Sequence, residues 1–304
     1  MRNPGWIDLQ VNGCSGIDFS SPELTGDDFL RAAERVLESG TGCFLPTLIT
    51  SPLGLYRRNL GVIRRAVVRH GLEREVPGVH LEGPFISADP GAAGAHNPDW
   101  VVPPDPEKVE ALLDLEPGFV RLVTLGADAE NAAGAVRLLR SRGVAVSVGH
   151  HLADSGEIAA AADAGAQALT HLGNGVPGMV PRHRNPIWAG LAEERLSAMI
   201  ITDGHHLPPE LIRVICKVKG AAKIIVTSDA SPGAGLPPGP CRVFGSDAIL
   251  EPGGRLYNPA TGYLAGSAVM LAECMRRLES LGIFSEAELR MAGRDNALKL
   301  IGPA

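Results

Sequence analysis

VSVGHHLADSGEIAAAADAGAQALTHLGNGVP, residues 146–177, repeats one pattern twice: a run of small and β-branched apolar residues that ends on a histidine. The two histidines are His150 and His171, and between them Ser155 is a predicted N-cap of an Ala-rich helix that ends at Gly165. We therefore predict one βαβ unit. Parallel neighbours deliver their C-terminal residues to the same side of a sheet, so the two imidazoles are expected to converge. Convergent imidazoles suit a metal ion, but a histidine at a strand end is more often a hydrogen-bonded loop residue, so a third ligand is needed to decide.

The rest of the chain continues this alternation of buried-strand and helical patterns. Eight βα units predict the α/β class and a closed (β/α)8 TIM barrel, one domain over residues 1–304, with its active site among the loops at the strand C-termini. We also predict a long binding loop at 84–104 and a hairpin-like insertion at about 240–264. The predicted strands are 5–11, 43–50, 77–82, 120–126, 144–150, 168–171, 196–203 and 223–229.

Composition and charge narrow the classes of protein. The chain has 304 residues, of which 45% are hydrophobic and 20% charged, so it can bury a large core. Its net charge is −6 and its basic residues are scattered, which argues against a nucleic-acid partner. Without an apolar leader or a run of about eighteen apolar residues, no membrane partner and a cytoplasmic location are expected. Five cysteines without a C-x-x-C pair predict neither a disulfide framework nor a zinc ribbon.

Polar residues close the first and third predicted strands. Asp8, Gln10 and Asn12 alternate along the first, so in a barrel they point inward together, either as a polar plug or as part of a site. Glu82 ends the third strand and is followed by Gly-Pro, a rigid turn that fixes the carboxylate. Glu82 is therefore the third metal-ligand candidate. His80, two residues earlier on the same face, is predicted to fill the barrel.

Two more candidates lie in the predicted loop and on the last strand. His96 lies in the 84–104 loop, where it either contacts a substrate or is an exposed histidine without a role. Asp229 ends the eighth strand, where a general base would lie across the barrel mouth from Glu82 and the two histidines. By itself Asp229 would equally suit a turn or an N-cap.

Seven motifs, in this order, resemble one known family: GWIDLQVNG, HLEGPF, GAHNP, the stretch 146–177, ITDGHHL, IVTSDA and LAGSAVML. They resemble the N-acetylglucosamine-6-phosphate deacetylases, a family of metal-dependent barrel hydrolases in the amidohydrolase superfamily. The resemblance implies hydrolysis of the N-acetyl group to give glucosamine 6-phosphate and acetate. It also implies a metal ion held by Glu82, His150 and His171, and a catalytic role for Asp229.

The resemblance further implies a set of substrate contacts and a homodimer whose phosphate pocket borrows residues from the neighbouring subunit. A phosphate-binding arginine is placed at Arg184. Here the sequence reads PRHRNP over residues 181–186, where the family has His-His-Arg-Glu-Pro, so the phosphate site departs from the family pattern. The other substrate contacts fall on His96, Asn174, Gly175, His206, Leu264, Ala265 and Gly266.

Gln10 and Asn12 stand where much of the superfamily has His-x-His on the first strand. Amides are poor ligands beside imidazole or carboxylate, so we expect one divalent metal ion per subunit, Zn first, with Fe, Mn and Co as alternatives. Gln10 and Asn12 would then occupy the second-metal position or hold water. The family's small β-sandwich is expected to be missing, because the chain starts at the first barrel strand and stops after the last helix.

Two alternative functions stay open from the sequence. One is an amidohydrolase that acts on a different or non-phosphorylated N-acyl amino sugar. The other is a barrel that binds a sugar without turnover, against which Asp229 argues, because pure binding needs no general base.

Overall fold

The computed structural model describes residues 5–302. Eight parallel strands form a barrel in which each strand pairs with the next along the sequence. The (β/α)8 barrel predicted from the sequence is confirmed, and every predicted strand is present, with boundaries that differ by a few residues. The barrel strands are Trp6–Val11, Thr41–Ile49, Val79–Glu82, Val120–Leu125, Ala145–Val148, Ala168–Leu169, Ser197–Ile200 and Ile224–Val226.

Helices surround the barrel and bury apolar stripes against the strands. Within the described residues, no helix is long and apolar enough to span a membrane. The main outer helices are Gly26–Glu38, Leu53–His70, Pro106–Leu113, Ala132–Ser141, Ser155–Ala164, Pro186–Ala192, Pro209–Lys219 and Leu271–Ser280. The last described helical stretch consists of Glu286–Arg290, the π-helical Met291–Asp295 and Asn296–Ile301.

The helix between the two histidine strands starts differently from the prediction. Ser155 is not its N-cap; Asp154 is, and its carboxylate accepts hydrogen bonds from the backbone N–H groups of Gly156 and Glu157. Glu157 in turn accepts from the Asp154 backbone N–H, which completes a capping box that Ser155 could not form. The helix ends as predicted at Gly165, whose φ of 111° favours glycine.

Asp8 joins the first and eighth barrel strands. An isolated bridge links Val11 to Ala230 across this seam. The buried Asp8 carboxylate accepts hydrogen bonds from Thr227 Oγ1 at 2.8 Å, from the Ser228 backbone N–H at 3.1 Å and from the Ser228 hydroxyl. The predicted inward polar face is therefore present, and at Asp8 its role is to hold two strands together.

The barrel interior has an apolar layer and a polar layer. His80 belongs to the polar layer: its Nδ1 lies 3.0 Å from the backbone oxygen of Leu9 and its Nε2 lies 2.8 Å from Thr124 Oγ1. Burial lowers the pKa of His80 to about 4, so His80 is a neutral filler, as the sequence predicts. Ala297, Leu300 and Ile301 of the last helix pack against the apolar layer, which contains Ile7, Leu9, Cys43, Leu45, Leu122, Ala145, Ala168, Met199 and Ile225.

Two segments outside the βα repeat contribute to the C-terminal mouth of the barrel. The 84–104 loop contains a short helix, Pro90–Ala93, and a 3₁₀ turn, Pro98–Trp100. The segment predicted as an insertion forms an antiparallel sheet of three strands, Gly239–Val243, Ser246–Leu250 and Leu256–Tyr257. The same segment has a small apolar core of its own.

Candidate active site

Three buried ligand atoms converge at the C-terminal mouth of the barrel. Glu82 Oε1 lies 3.2 Å from His150 Nε2 and 2.9 Å from His171 Nε2, and the two Nε2 atoms are 3.0 Å apart. These residues follow or end the third, fifth and sixth barrel strands. The structure therefore brings together the three residues that the sequence singled out as metal ligands.

The backbone is strained at three residues of this site. His150, His171 and Asp229 have φ values of 52°, 28° and 51°, in the left-handed region that residues other than glycine rarely adopt. Each lies two or three residues beyond the end of a barrel strand, which is Val148, Leu169 or Val226, and lines the cavity at the mouth. Such strain persists where the surrounding structure enforces it, and it clusters at functional sites.

The 84–104 loop orients His150. The Nδ1–H of His150 donates to the backbone oxygen of Ala92 at 2.7 Å, which leaves the lone pair on Nε2, facing Glu82. Asp89 caps the short helix that presents this carbonyl by accepting from the backbone N–H groups of Gly91 and Ala92. A histidine that ligates a metal commonly donates its other N–H in this way. Nothing in the sequence marks Ala92, because its backbone makes the contact.

The three residues fit a divalent metal ion. Ligand atoms around a tetrahedral Zn²⁺ lie about 3.4 Å apart, close to the separations of 2.9 to 3.2 Å seen here. Burial acts to raise the pKa of Glu82, but the adjacent imidazoles of His150 and His171 outweigh it and hold that pKa well below its usual range, so the carboxylate is charged. One carboxylate, two imidazoles and room for a further ligand form the donor set of a catalytic site rather than a structural one.

Gln10 and Asn12 position the carboxylates. Gln10 Nε2 donates to Glu82 Oε1 at 2.8 Å and to Asp229 Oδ1 at 2.9 Å, and Asn12 Nδ2 donates to Asp229 Oδ1 at 2.7 Å. Among the described residues, Glu82, His150 and His171 are the one group of three or more metal-binding side chains that converges. This arrangement favours a single ion.

Asp229 has the environment of a proton acceptor. Burial and the neighbouring charge of Glu82 raise the pKa of Asp229 to about 6. Both amides donate to its Oδ1, and Oδ2 makes no hydrogen bond to the part of the chain that the structure describes. Oδ2 is therefore free to exchange a proton with a substrate or a water molecule.

Two further histidines border the same cavity, and their pKa values are shifted in opposite directions. Burial lowers the pKa of His96 to about 4, and its Nδ1 accepts from the backbone N–H of Thr50 at 3.2 Å, so the proton is on Nε2. Burial also acts to lower the pKa of His206, but the Asp203 carboxylate, 2.7 Å from Nδ1, outweighs it and raises that pKa. The site thus combines a neutral donor with a histidine whose protonated form is favoured.

The cavity in front of these groups has a volume of about 190 Å³. Most of the sequence-predicted substrate contacts line it: His96, Asn174, Gly175, His206, Leu264 and Gly266. Ala265 lies behind them in the core of the insertion. Arg184 is exposed and is not among the lining residues, so its predicted phosphate contact stays a prediction. The sequence prediction did not include Ile49, Val176, Phe244 and Tyr263, which also line the cavity.

A parallel barrel with a buried Glu-His-His cluster at its strand ends, and a buried aspartate on its last strand, defines a metal-dependent hydrolase of the amidohydrolase type.

No protein-family model matches the chain. Curated relatives match it over most of its length. The chain is 37% identical to N-acetylglucosamine-6-phosphate deacetylase of Danio rerio over 303 residues, 95% of this chain and 72% of the relative. It is 30% identical to N-acetylgalactosamine-6-phosphate deacetylase of Escherichia coli O157:H7, over 99% of this chain and 80% of the relative.

Solved structures of enzymes with the same name share this fold. A variant of N-acetyl-D-glucosamine-6-phosphate deacetylase from Mycobacterium smegmatis, in complex with N-acetyl-D-glucosamine-6-phosphate, matches with a TM-score of 0.88 at 29% identity, over 98% of this chain and 77% of that one. The enzyme from Thermotoga maritima matches with a TM-score of 0.87 at 26% identity, over 98% and 78%. The chain belongs to the N-acetylglucosamine-6-phosphate deacetylase family, which confirms the resemblance that its motifs indicate.

Proposed function

We propose that the protein removes the acetyl group of N-acetylglucosamine 6-phosphate by hydrolysis, giving glucosamine 6-phosphate and acetate. The observation that carries this proposal is the convergence of Glu82, His150 and His171 beside the Oδ2 of Asp229 in one cavity. Amide hydrolysis needs an activated water molecule, a polarised carbonyl oxygen and a proton for the departing amine. The site contains residues for each requirement.

A divalent ion, for which we propose Zn²⁺, would be held by Glu82, His150 and His171; when bound it polarises the amide carbonyl and lowers the pKa of a water molecule to about 7. Asp229 Oδ2 would take a proton from the attacking water as the water oxygen bonds to the carbonyl carbon. The same oxygen then returns the proton to the amide nitrogen, the C–N bond breaks, and acetate and the free amine leave. Gln10 and Asn12 keep Asp229 aligned throughout.

The substrate's phosphate needs cations that one chain supplies only in part. No lysine or arginine is among the residues lining the cavity, and of its two histidines outside the Glu82, His150 and His171 cluster, His206 has a raised pKa whereas His96 has a lowered one. We propose that Arg184 of a second copy completes the phosphate pocket in a homodimer. Its surroundings support this, because Met179 and Trp188 are 92% and 53% exposed and offer an apolar surface for a partner.

A deacetylation assay on the four N-acetyl hexosamines, glucosamine or galactosamine type, each with and without 6-phosphate, tests the proposal. Both epimers are needed because one relative at 30% identity is named for N-acetylgalactosamine 6-phosphate. Metal content should be measured on the same sample. Acetate release from the phosphorylated glucosamine type in preference to the others is expected, and equal turnover with and without phosphate would refute the phosphate assignment.

A further inference from the structure

Phe244 has a backbone conformation that its side chain does not favour. Its φ is 53°, and the other non-glycine residues with positive φ among those described are three residues of the active site, Ser15 and Asn131. A polar asparagine tolerates this region, whereas a bulky aromatic residue there is a genuine outlier. The strain at Phe244 therefore calls for a reason.

The hairpin explains where the strain arises. Strands Gly239–Val243 and Ser246–Leu250 pair with Val243 opposite Ser246, so Phe244 and Gly245 form a two-residue loop. Both have positive φ, 53° and 75°, as a type I′ turn requires. The first position of such a turn strongly favours asparagine, aspartate or glycine. Phenylalanine at that position gives up local stability.

Phe244 borders the active-site cavity and also packs against the apolar core of the insertion. Phe244 lines the cavity together with Tyr263, and both aromatic rings come from the insertion, whereas Glu82, His171 and Asp229 come from the barrel strands. The aromatic content of the whole chain is 4%, so two rings at one mouth are a large share. The barrel thus supplies polar groups and the insertion supplies an aromatic wall.

This wall is held firmly against the barrel. Val243, Leu250 and Leu256 are almost fully buried in the insertion's own core. The carboxyl group of Asp18, on a short strand next to the insertion, interacts with the Phe244 backbone N–H and with that of Ser20. The turn is therefore fixed at both its sides, and the ring is positioned before any ligand arrives.

We propose that Phe244 determines substrate specificity by packing against the apolar C–H face of the hexosamine ring, and that the hairpin tolerates backbone strain to place it there. This inference rests on the proposed function, because it takes the cavity as the amino-sugar site. Sugar rings combine hydroxyl groups at the edge with a C–H face, so a pocket that recognises one needs an apolar wall beside its polar contacts.

The test compares Phe244→Asn with Phe244→Tyr in the holoenzyme. Asparagine suits the first position of the turn but lacks the ring, so we expect KM for N-acetylglucosamine 6-phosphate to rise about tenfold. The lost packing on the insertion core lowers the melting temperature, but Phe244→Asn should melt about 2 °C above Phe244→Ala, which also lacks the ring and does not suit the turn. We expect kcat to change much less, because the proposed contact is with the sugar ring and the proton transfer is assigned to Asp229. Phe244→Tyr keeps both ring and strain, and should leave KM and melting temperature near parental values.

Three results would overturn the inference: a parental KM in Phe244→Asn, a melting temperature of that variant no higher than that of Phe244→Ala, or a Phe244→Tyr variant that loses affinity as strongly as Phe244→Asn. Failure of the proposed function is distinguishable, because it would be seen as absence of acetate release by the parental enzyme. The melting-temperature comparison does not depend on turnover.

Discussion

Replacing Asp203 with asparagine should lower the pKa of His206, and so favour its neutral form, without moving the ring. In the parental protein the Asp203 carboxylate raises the pKa of His206 above its ordinary 6.5, and burial acts in the opposite direction. Asparagine keeps an oxygen for the backbone N–H groups of His205 and His206, which now bond Asp203 Oδ1 at 2.9 and 3.0 Å. Its amide nitrogen would donate to Nδ1 and leave the proton on Nε2.

The size of the effect follows from titration. With the carboxylate gone, burial lowers the pKa of His206 and only the Asp229 charge still opposes it, so less of the histidine is protonated at pH 7.5 than in the parental protein. If protonated His206 binds the phosphate, kcat/KM at pH 7.5 should fall in step with the protonated fraction, about tenfold for a titration midpoint one pH unit lower, and the loss should shrink towards pH 5.5. The raised pKa of His206 also makes folding stability depend on pH. It adds stability to the folded protein below pH 6.5, and this contribution is lost as the pH rises through the folded-state pKa.

The assay is the pH profile of kcat/KM for the parental enzyme and Asp203→Asn, on substrates with and without 6-phosphate. The alkaline limb should move to lower pH in the variant and only with the phosphorylated substrate. His206→Gln is the matched control, because it removes the titrating group and should abolish that limb. Coincident profiles for the parental enzyme and Asp203→Asn would show that the charge of His206 does not serve the phosphate.

Further substitutions separate structure, metal and chemistry. Asp8→Ala leaves buried donors of Thr227 and Ser228 unpaired, so it should lower the free energy of unfolding by about 4 kcal/mol, or the melting temperature by about 6 °C in a chain of 304 residues. Asp8→Asn should lower the melting temperature clearly less. Equal melting temperatures of the two variants would show that the Asp8 carboxylate does not hold the first and eighth strands together. His171→Ala should lose both the metal, by elemental analysis, and turnover; a variant that keeps the metal would remove His171 from the ligand set. Asp229→Asn should keep the metal and lose turnover by about a hundredfold or more, and near-parental kcat would exclude it as the base. Arg184→Ala should raise KM for phosphorylated substrate with little change in kcat, and an unchanged KM would remove it from the phosphate pocket.

The fold was predictable from the sequence because each strand and helix carries its own periodicity. The repeat around His150 and His171 sets the βαβ unit, and the barrel follows from eight such units. The helix cap was predicted one residue too late, at Ser155, because Ser155 and Asp154 are both good caps and only the reciprocal bond with Glu157 decides between them. Local chemistry of this kind is visible in the sequence but is not unique.

The site was predictable only where side chains make the contacts. Glu82, His150, His171 and Asp229 could be found because strand C-termini converge in a parallel barrel. The carbonyl of Ala92, which fixes the His150 tautomer, could not, since any residue at that position offers the same oxygen. Gln10 was expected to hold water or fill a metal position; its actual partners, Glu82 and Asp229, lie on strands far from it in sequence.

Backbone conformation is the feature that the sequence hides most completely and that the function uses most directly. A residue after a strand normally continues in the extended region, so a pattern reading expects the side chains of His150, His171 and Asp229 to alternate with the pleat. Their positive φ values break that alternation, and the side chains that follow three different strands converge on one site. Phe244 uses the same device from a hairpin, against the preference of its turn. These strained conformations persist because the surrounding packing of the barrel and of the insertion core holds each residue in place. Of the six described residues other than glycine with a positive φ, four line this cavity, and the two that do not are Ser15 and Asn131.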